Sequence, residues 1–228
     1  MSADAAPPRR PVTTRAAIRV TIWDWPTRLI HWSIVVLIAF AWWAYKGDRM
    51  LWHERAGYAV LALLALRLFL GLFGSETSRF AQFVRGPGAV WRYLRGAVPG
   101  VGHNPLGAWS VVLLLGVLAG QAVLGLFASD EDGLESGPLS HLVTLDHARL
   151  AEELHGLLFN ILLGLVALHV AAIVFYALRG RNLLWPMIAG RGPLPEGARA
   201  PRLAPLYVVL LGMALAAALF VWFWRLSG

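Results

Sequence analysis

The sequence predicts an all-α integral membrane protein with five transmembrane helices. Hydrophobic residues fill 58% of the 228 positions and charged residues only 14%, a balance far from that of a soluble domain. The apolar residues fall into five runs, each close to the ~20 residues that cross the hydrocarbon of a bilayer. Eleven tryptophans agree with this class, since indole rings favour the interface between headgroups and acyl chains.

The predicted helices cover residues 29–45, 51–73, 106–128, 152–178 and 204–224. The first run is the shortest. Pro26 at its start suits the first turn of a helix, and Trp25 and Trp32 suit an interfacial entry.

Charge orients the predicted helices. The N-terminal tail and the connections 74–105 and 179–203 are rich in arginine, whereas segment 129–153 is acidic. Basic connections stay in the cytoplasm, so we expect the N-terminus to be cytoplasmic and the C-terminus to lie outside. The net charge of +7 then reflects topology, and a nucleic-acid partner is not expected.

The chain contains no cysteine, which excludes disulfides, thiolate-bound iron–sulfur clusters and covalently attached c-type haem.

Residues 1–20 lack the apolar core of a secretory signal and are predicted to form a disordered basic tail that is not cleaved. The next unit predicted is a helical bundle over 21–190. Residues 191–228 form a linker and the C-terminal transmembrane helix.

Four histidines lie in the hydrophobic runs: His31, His53, His155 and His169. His155 and His169 are fourteen residues apart, and this separation corresponds to ~21 Å along an α-helix and almost four full turns. They therefore share one face at two depths. With the predicted orientation, His53 meets His155 on the outer side, and His31 meets His169 on the inner side.

At each depth, two imidazoles from facing helices are suited to the two axial positions of a bis-histidine haem. Such a haem transfers electrons and has no open position for oxygen. Two histidines are too few for a closed tetrahedral zinc or copper site, whereas porphyrin supplies four ligands itself. The sequence therefore predicts two non-covalent b haems. Small residues near the ligands give room for porphyrin or mediate ordinary helix packing: Gly57, Gly116, Gly120, Gly156 and Gly164.

Arg67 lies fourteen residues after His53, on the same helix face but at the depth of the inner haem. Its guanidinium is suited to neutralise a haem propionate. The alternative is that the side chain extends to the headgroups.

Three further histidines allow two interpretations each. His103, beside Asn104 before the third helix, is either a ligand of a quinone headgroup or a solvated loop residue. His141 and His147 fall in a segment, 139–155, predicted to form a short amphipathic helix over the outer haem, with both histidines on its wet face. The acidic cluster 130–135 is either a solvated loop or an attractive surface for a basic c-type cytochrome.

Four segments resemble a known family: WDWPTRLIHW (23–32), HERAGYAVLALLALRLFLG (53–71), GHNPLGAWSVVLLLGVLAGQAVLG (102–125) and ELHGLLFNILLGLVALHVAAIVF (153–175). The family is that of the bacterial di-haem cytochromes b561, which includes the b-type cytochrome subunit of nickel-iron hydrogenases and stand-alone quinone-linked cytochromes. The resemblance covers about residues 20–190. The order and spacing of the four histidines and the later arginine recur.

The resemblance implies a four-helix transmembrane di-haem bundle, with His31–His169 and His53–His155 as ligand pairs, in a bacterial inner membrane. It implies electron exchange in a respiratory chain between membrane quinone and a redox partner, such as a c-type cytochrome or an oxidoreductase subunit. Whether the protein is itself a quinone-linked oxidoreductase stays open. Two alternatives remain, a haem-containing anchor subunit of a larger oxidoreductase such as a hydrogenase, and a transporter without haem.

Overall fold

A computed structural model describes residues 18–96, 100–130, 132–133, 135–195 and 197–226. The predicted tail therefore lies outside the described residues up to residue 17, and its last two residues, Arg19 and Val20, belong to a short strand. The elements in chain order are β1 (Arg19–Thr21), α1 (Trp25–Lys46), α2 (Met50–Phe73), α3 (Phe80–Phe83), α4 (Pro87–Leu94), α5 (Pro105–Phe127), a 3₁₀ turn (Ser140–Leu142), α6 (Leu145–Leu178), α7 (Leu184–Ala189), β2 (Arg191–Pro193) and α8 (Leu206–Leu226).

Five helices are long and apolar enough to cross a membrane: α1, α2, α5, α6 and α8. The predicted fold class, an all-α integral membrane protein with five spanning helices, is thereby confirmed. The five helices lie where the hydrophobic runs predicted them. Helix α1 begins earlier than its apolar run because Asp24 caps it and Pro26 suits its first turn.

The amphipathic helix predicted for residues 139–155 is wrong as a separate element. The structure has one 3₁₀ turn at Ser140–Leu142, after which α6 runs without a break from Leu145 to Leu178. Thr144 caps this helix by accepting a hydrogen bond from the backbone N–H of His147 at 3.4 Å, and no glycine or proline interrupts residues 145–155. The fourth spanning helix therefore extends two turns beyond its apolar run.

Helix α2 is the centre of the bundle. It packs against α1, α5 and α8, and half of its apolar window is buried. Helix α5 also packs along α6. Within the described part of the chain, α6 makes its close helix packing with α5 and remains exposed over most of its surface. The α1–α2 and α5–α6 hairpins consequently meet mainly through α2 and α5.

Helix α8 lies against the outside of α2. Gly212 brings the two backbones close, since a Cβ at this position would be 2.7 Å from Phe69 Cδ1 and 2.9 Å from Leu66 Cδ1. Toward the end of α8, Phe223 stacks on Tyr58 with ring centres 5.7 Å apart. The contact therefore extends along most of the length of α8.

The two ends of the bundle differ in charge. The basic end (residues 18–24, 74–96, 100–104, 179–195 and 197–205) carries most of the arginines, whereas the acidic end (residues 47–49, 128–130, 132–133 and 135–144) carries a cluster of carboxylates. At the basic end β1 pairs antiparallel with β2. Helix α7 lies over the start of α1, where Trp32 Nε1 donates to the Met187 carbonyl at 3.3 Å.

Gly212→Leu should lower the stability of the protein by about 1–3 kcal/mol, because the added side chain overpacks the contact with Phe69 and Leu66. Ala214→Leu, on the exposed side of the same helix, is the matched control and should have little effect. Thermal unfolding of both variants in detergent measures the difference. Equal losses in the two variants would show that α8 does not depend on this close approach.

Candidate functional site

His53 and His155 face each other near the acidic end. His53 lies in the first turn of α2, with Nδ1 2.9 Å from the Ala41 carbonyl of α1. His155 lies on α6, with Nδ1 2.9 Å from the Gln121 carbonyl of α5. A carbonyl oxygen only accepts, so each Nδ1 carries the proton and each Nε2 keeps a free electron pair. Both rings are thus prepared to bind a metal through Nε2.

The spacing of these two rings fits a metal ion between them. Their centres are 6.0 Å apart and their planes are inclined by 76°. In a linear arrangement, the distance from the metal to each ring centre is one metal–nitrogen bond of about 2 Å plus the distance from that nitrogen to the ring centre. The two ring centres are then about 6 Å apart. No group of three or more His, Cys, Asp or Glu side chains suited to a metal occurs among the described residues. A planar group that brings its own four ligands, such as porphyrin, therefore fits this pair.

The glycines near the histidines fall into two groups. An added Cβ would meet no atom of the described residues within 4 Å at Gly57, Gly116, Gly156 and Gly164, so no side chain of the described residues packs on these positions. Gly120 instead packs on Leu158, at 3.1 Å. Gly125, which the sequence reasoning missed, lies against the His155 ring, since a Cβ there would be 3.0 Å from Cε1.

His31 and His169 form a second pair toward the basic end. His31 projects from α1, where the edge of its ring meets Trp32 with centres 4.9 Å apart. Its Nδ1 is buried and has no hydrogen-bond partner in the described part of the chain. His169, on α6, lies close enough to interact with His31 electrostatically. The structure thus places the ring centres of His53 and His155 6.0 Å apart and places His169 within electrostatic range of His31.

Arg67 is buried near the basic end of α2, with 7% of the residue exposed. Its Nη1 donates to the Ser78 carbonyl at 3.2 Å, and its guanidinium lies over the Phe80 ring, 4.8 Å from the centre. The side chain therefore does not extend to the headgroups. Its charge interacts with the carboxylate of Asp24, a partner that the sequence reasoning did not identify.

His103 is enclosed at the basic end. Its ring lies between Phe83 and Trp23, with centres 4.4 Å and 4.6 Å away. Burial, followed by the nearby Arg67 and His169, lowers the pKa of His103 to about 3, so the ring is neutral at physiological pH. The interpretation as a solvated loop residue is therefore wrong. His141 and His147 are exposed, as expected for residues on a wet face.

The family model described as prokaryotic cytochrome b561 matches residues 22–190. This chain belongs to the prokaryotic cytochrome b561 family. The match spans α1 to α7, whereas α8 lies outside it. No curated protein and no solved structure matches the chain.

Membership of the cytochrome b561 family confirms the predicted resemblance. The protein is therefore a multi-pass membrane b-type cytochrome that functions in electron transfer. A cytochrome of this family binds haem b, and the His53–His155 pair fits such a group. The ligand residues, the number of haems, the quinone and the redox partner remain predictions.

Asp24 organises the basic end of this cytochrome. One carboxylate oxygen accepts from the Thr27 N–H at 3.0 Å and caps α1, and the other accepts from the Ser75 hydroxyl. The Ser75 oxygen in turn accepts from the Ala204 N–H at 2.8 Å. Asp24 thereby joins the start of α1, the end of α2 and the linker that leads to α8.

Glu76 adds a second connection to the same linker. Its carboxylate accepts from the Arg202 N–H at 3.0 Å and from the Arg199 guanidinium at 2.8 Å. These hydrogen bonds hold the pKa of Glu76 below its usual range. The carboxylate therefore stays ionised at physiological pH and keeps its contact with the linker.

Asp24→Ala should destabilise the protein by about 2 kcal/mol, because α1 loses its cap and the Ser75 hydroxyl loses its acceptor. Asp24→Asn should cost less, since asparagine also caps helices well. Unfolding of the two variants in detergent, at one pH and one salt concentration, measures both losses. If alanine and asparagine cost the same, the capping role of Asp24 is negligible.

Proposed function

We propose that this cytochrome carries electrons through the bilayer by means of two non-covalent b haems, one held by His53 and His155 and the other by His31 and His169. The observation that carries the proposal is the His53–His155 pair, whose rings have the spacing of two axial ligands. Each haem, when bound, supplies a one-electron carrier without an open position for oxygen.

The protein fixes the orientation of its ligands before any metal binds. The carbonyls of Ala41 and Gln121 hold the rings of His53 and His155 in one tautomer. Helix α6 contributes one ligand to each site, and its unbroken course sets a separation of ~21 Å between them. Two sites at that separation reach toward both faces of the membrane.

The charges of the two ends support an orientation. We place the basic end in the cytoplasm, following the distribution of arginine in transmembrane proteins, in a bacterial inner membrane. Membrane quinone is then one electron donor or acceptor. Asp130, Asp132 and Glu135 at the acidic end would attract a basic partner such as a c-type cytochrome.

The anchor-subunit alternative makes a different prediction. Only residues 47–49 join α1 to α2 at the acidic end, which leaves little surface there for a large partner. Co-purification of a stoichiometric oxidoreductase subunit from native membranes would favour the anchor. A colourless purified protein would favour a transporter.

A pyridine haemochrome assay should find two b haems per chain. His155→Ala and His169→Ala should each remove one haem and one redox transition, because the two residues serve different sites along α6. His141→Ala, which removes an exposed histidine, is the control and should retain both.

One haem per chain would refute the pairing of the four histidines, and none would refute the function. If His155→Ala and His169→Ala abolish the same transition, the assignment of the two layers is wrong. Loss of both haems in either variant, together with loss of the folded protein, would show that haem binding stabilises the fold.

Arg67→Leu should lower the reduction potential of the His31–His169 haem, because a buried positive charge favours the more electron-rich state of the iron. A change of about 1 kcal/mol corresponds to a shift on the order of 40 mV for a one-electron couple. Asp24→Asn removes the opposing charge and should shift the same potential upward. Redox titration resolves the two haems, and unchanged potentials in both variants would contradict an electrostatic role for Arg67.

A further inference from the structure

Two polar side-chain atoms at the basic end are buried without a hydrogen-bond partner among the described residues. Neither His103 Nδ1 nor Thr77 Oγ1 has a hydrogen-bond partner within the residues that the structure describes. Buried polar groups of native proteins are nearly always hydrogen-bonded, and an unmade bond costs about 1–3 kcal/mol. Two such groups at one place therefore indicate a ligand that supplies the missing acceptor.

Thr77 lies against Gly102, the residue that precedes His103 in the chain. Gly102 has a φ of +93°, and a Cβ there would lie 3.4 Å from Thr77 Cγ2 and 3.7 Å from Trp23 Cη2. Glycine is favoured at this conformation, and the next residue is His103. The His103 ring is in contact with the tilted ring of Phe83 and with Trp23, and these contacts restrict its position.

Arg67 brings a positive charge near His103, and this charge also interacts with the carboxylate of Asp24. Arg67 interacts electrostatically with His103, as does His169 of the second histidine pair. A continuous series of ring contacts runs from Arg67 over Phe80 and Phe83 to His103. The place thus combines hydrogen-bond donors with a buried guanidinium, which favours an anion with at least two oxygens over a neutral carbonyl.

We propose that His103 and Thr77, with Arg67, bind a carboxylate, namely a propionate of the haem held by His31 and His169. This inference rests on the proposed function, since it requires that second haem. His103 and Thr77 donate hydrogen bonds to the carboxylate oxygens, and Arg67 balances the negative charge.

The test uses the full-length holoprotein, first assayed for two haems. His103→Leu and Thr77→Val each remove one donor, His103→Gln retains a donor, and His141→Leu is the matched control on an exposed histidine. Redox titration at pH 8, where the carboxylate is ionised, should show a lower midpoint potential for one haem in His103→Leu and Thr77→Val, because the less compensated anion favours oxidised iron. The other haem should be unchanged, and His103→Gln should restore the wild-type value.

A second readout is infrared difference spectroscopy with haem labelled by ¹³C in its propionate carboxyl groups. The labelled carboxylate band should shift in His103→Leu and Thr77→Val and not in His141→Leu. If His103→Leu fails to retain haem, Thr77→Val decides, because valine has nearly the shape of threonine and lacks only the hydroxyl donor.

Unchanged potentials and an unchanged band in a di-haem protein would overturn this inference and leave the proposed function intact. A raised KM for quinol with unchanged potentials would also overturn it, and would assign the site to a quinone oxygen. A wild-type protein without the second haem would instead refute the proposed function, and the propionate site with it.

Discussion

An imidazole inside a bilayer needs a partner for each of its two nitrogens, because hydrocarbon offers neither donors nor acceptors. In His53 and His155, Nδ1–H donates a hydrogen bond to a backbone carbonyl of the neighbouring helix. The Nε2 atom of each ring keeps a free electron pair. The pairing of α1 with α2 and of α5 with α6 thus orients two candidate ligands from opposite hairpins.

The packing of the hairpins follows from the same requirement. Helix α6 packs along α5 and approaches the other hairpin at its histidines. An added Cβ at Gly57 or Gly156 would meet no atom of the described residues within 4 Å, so no side chain of the described residues packs on these two positions. Binding of haem b to the folded chain stabilises that state, which couples cofactor binding to stability.

The basic end is built differently, from buried polar groups. Asp24, 8% exposed, caps α1 and receives the Ser75 hydroxyl, while the Thr27 and Ser78 hydroxyls lie 2.6 Å apart. This network fixes the start of α1, which begins at Trp25, six residues before His31. It also holds the linker to α8, so a helix outside the family match is connected to the start of α1.

The sequence by itself determined the five spanning helices and the two levels of histidines, since both depend on local properties. The length of an apolar run decides whether a helix spans the bilayer, and fourteen residues of helix fix the separation of His155 and His169 whatever packs around them. Only the tertiary structure decided that Asp24 interacts with Arg67 and that the His103 ring contacts Phe83 and Trp23. These contacts join residues far apart in the chain through irregular loops, whose paths no periodic pattern encodes. Burial of a loop histidine or a charge pair therefore depends on tertiary packing, whereas hydrophobic length can be read along the chain.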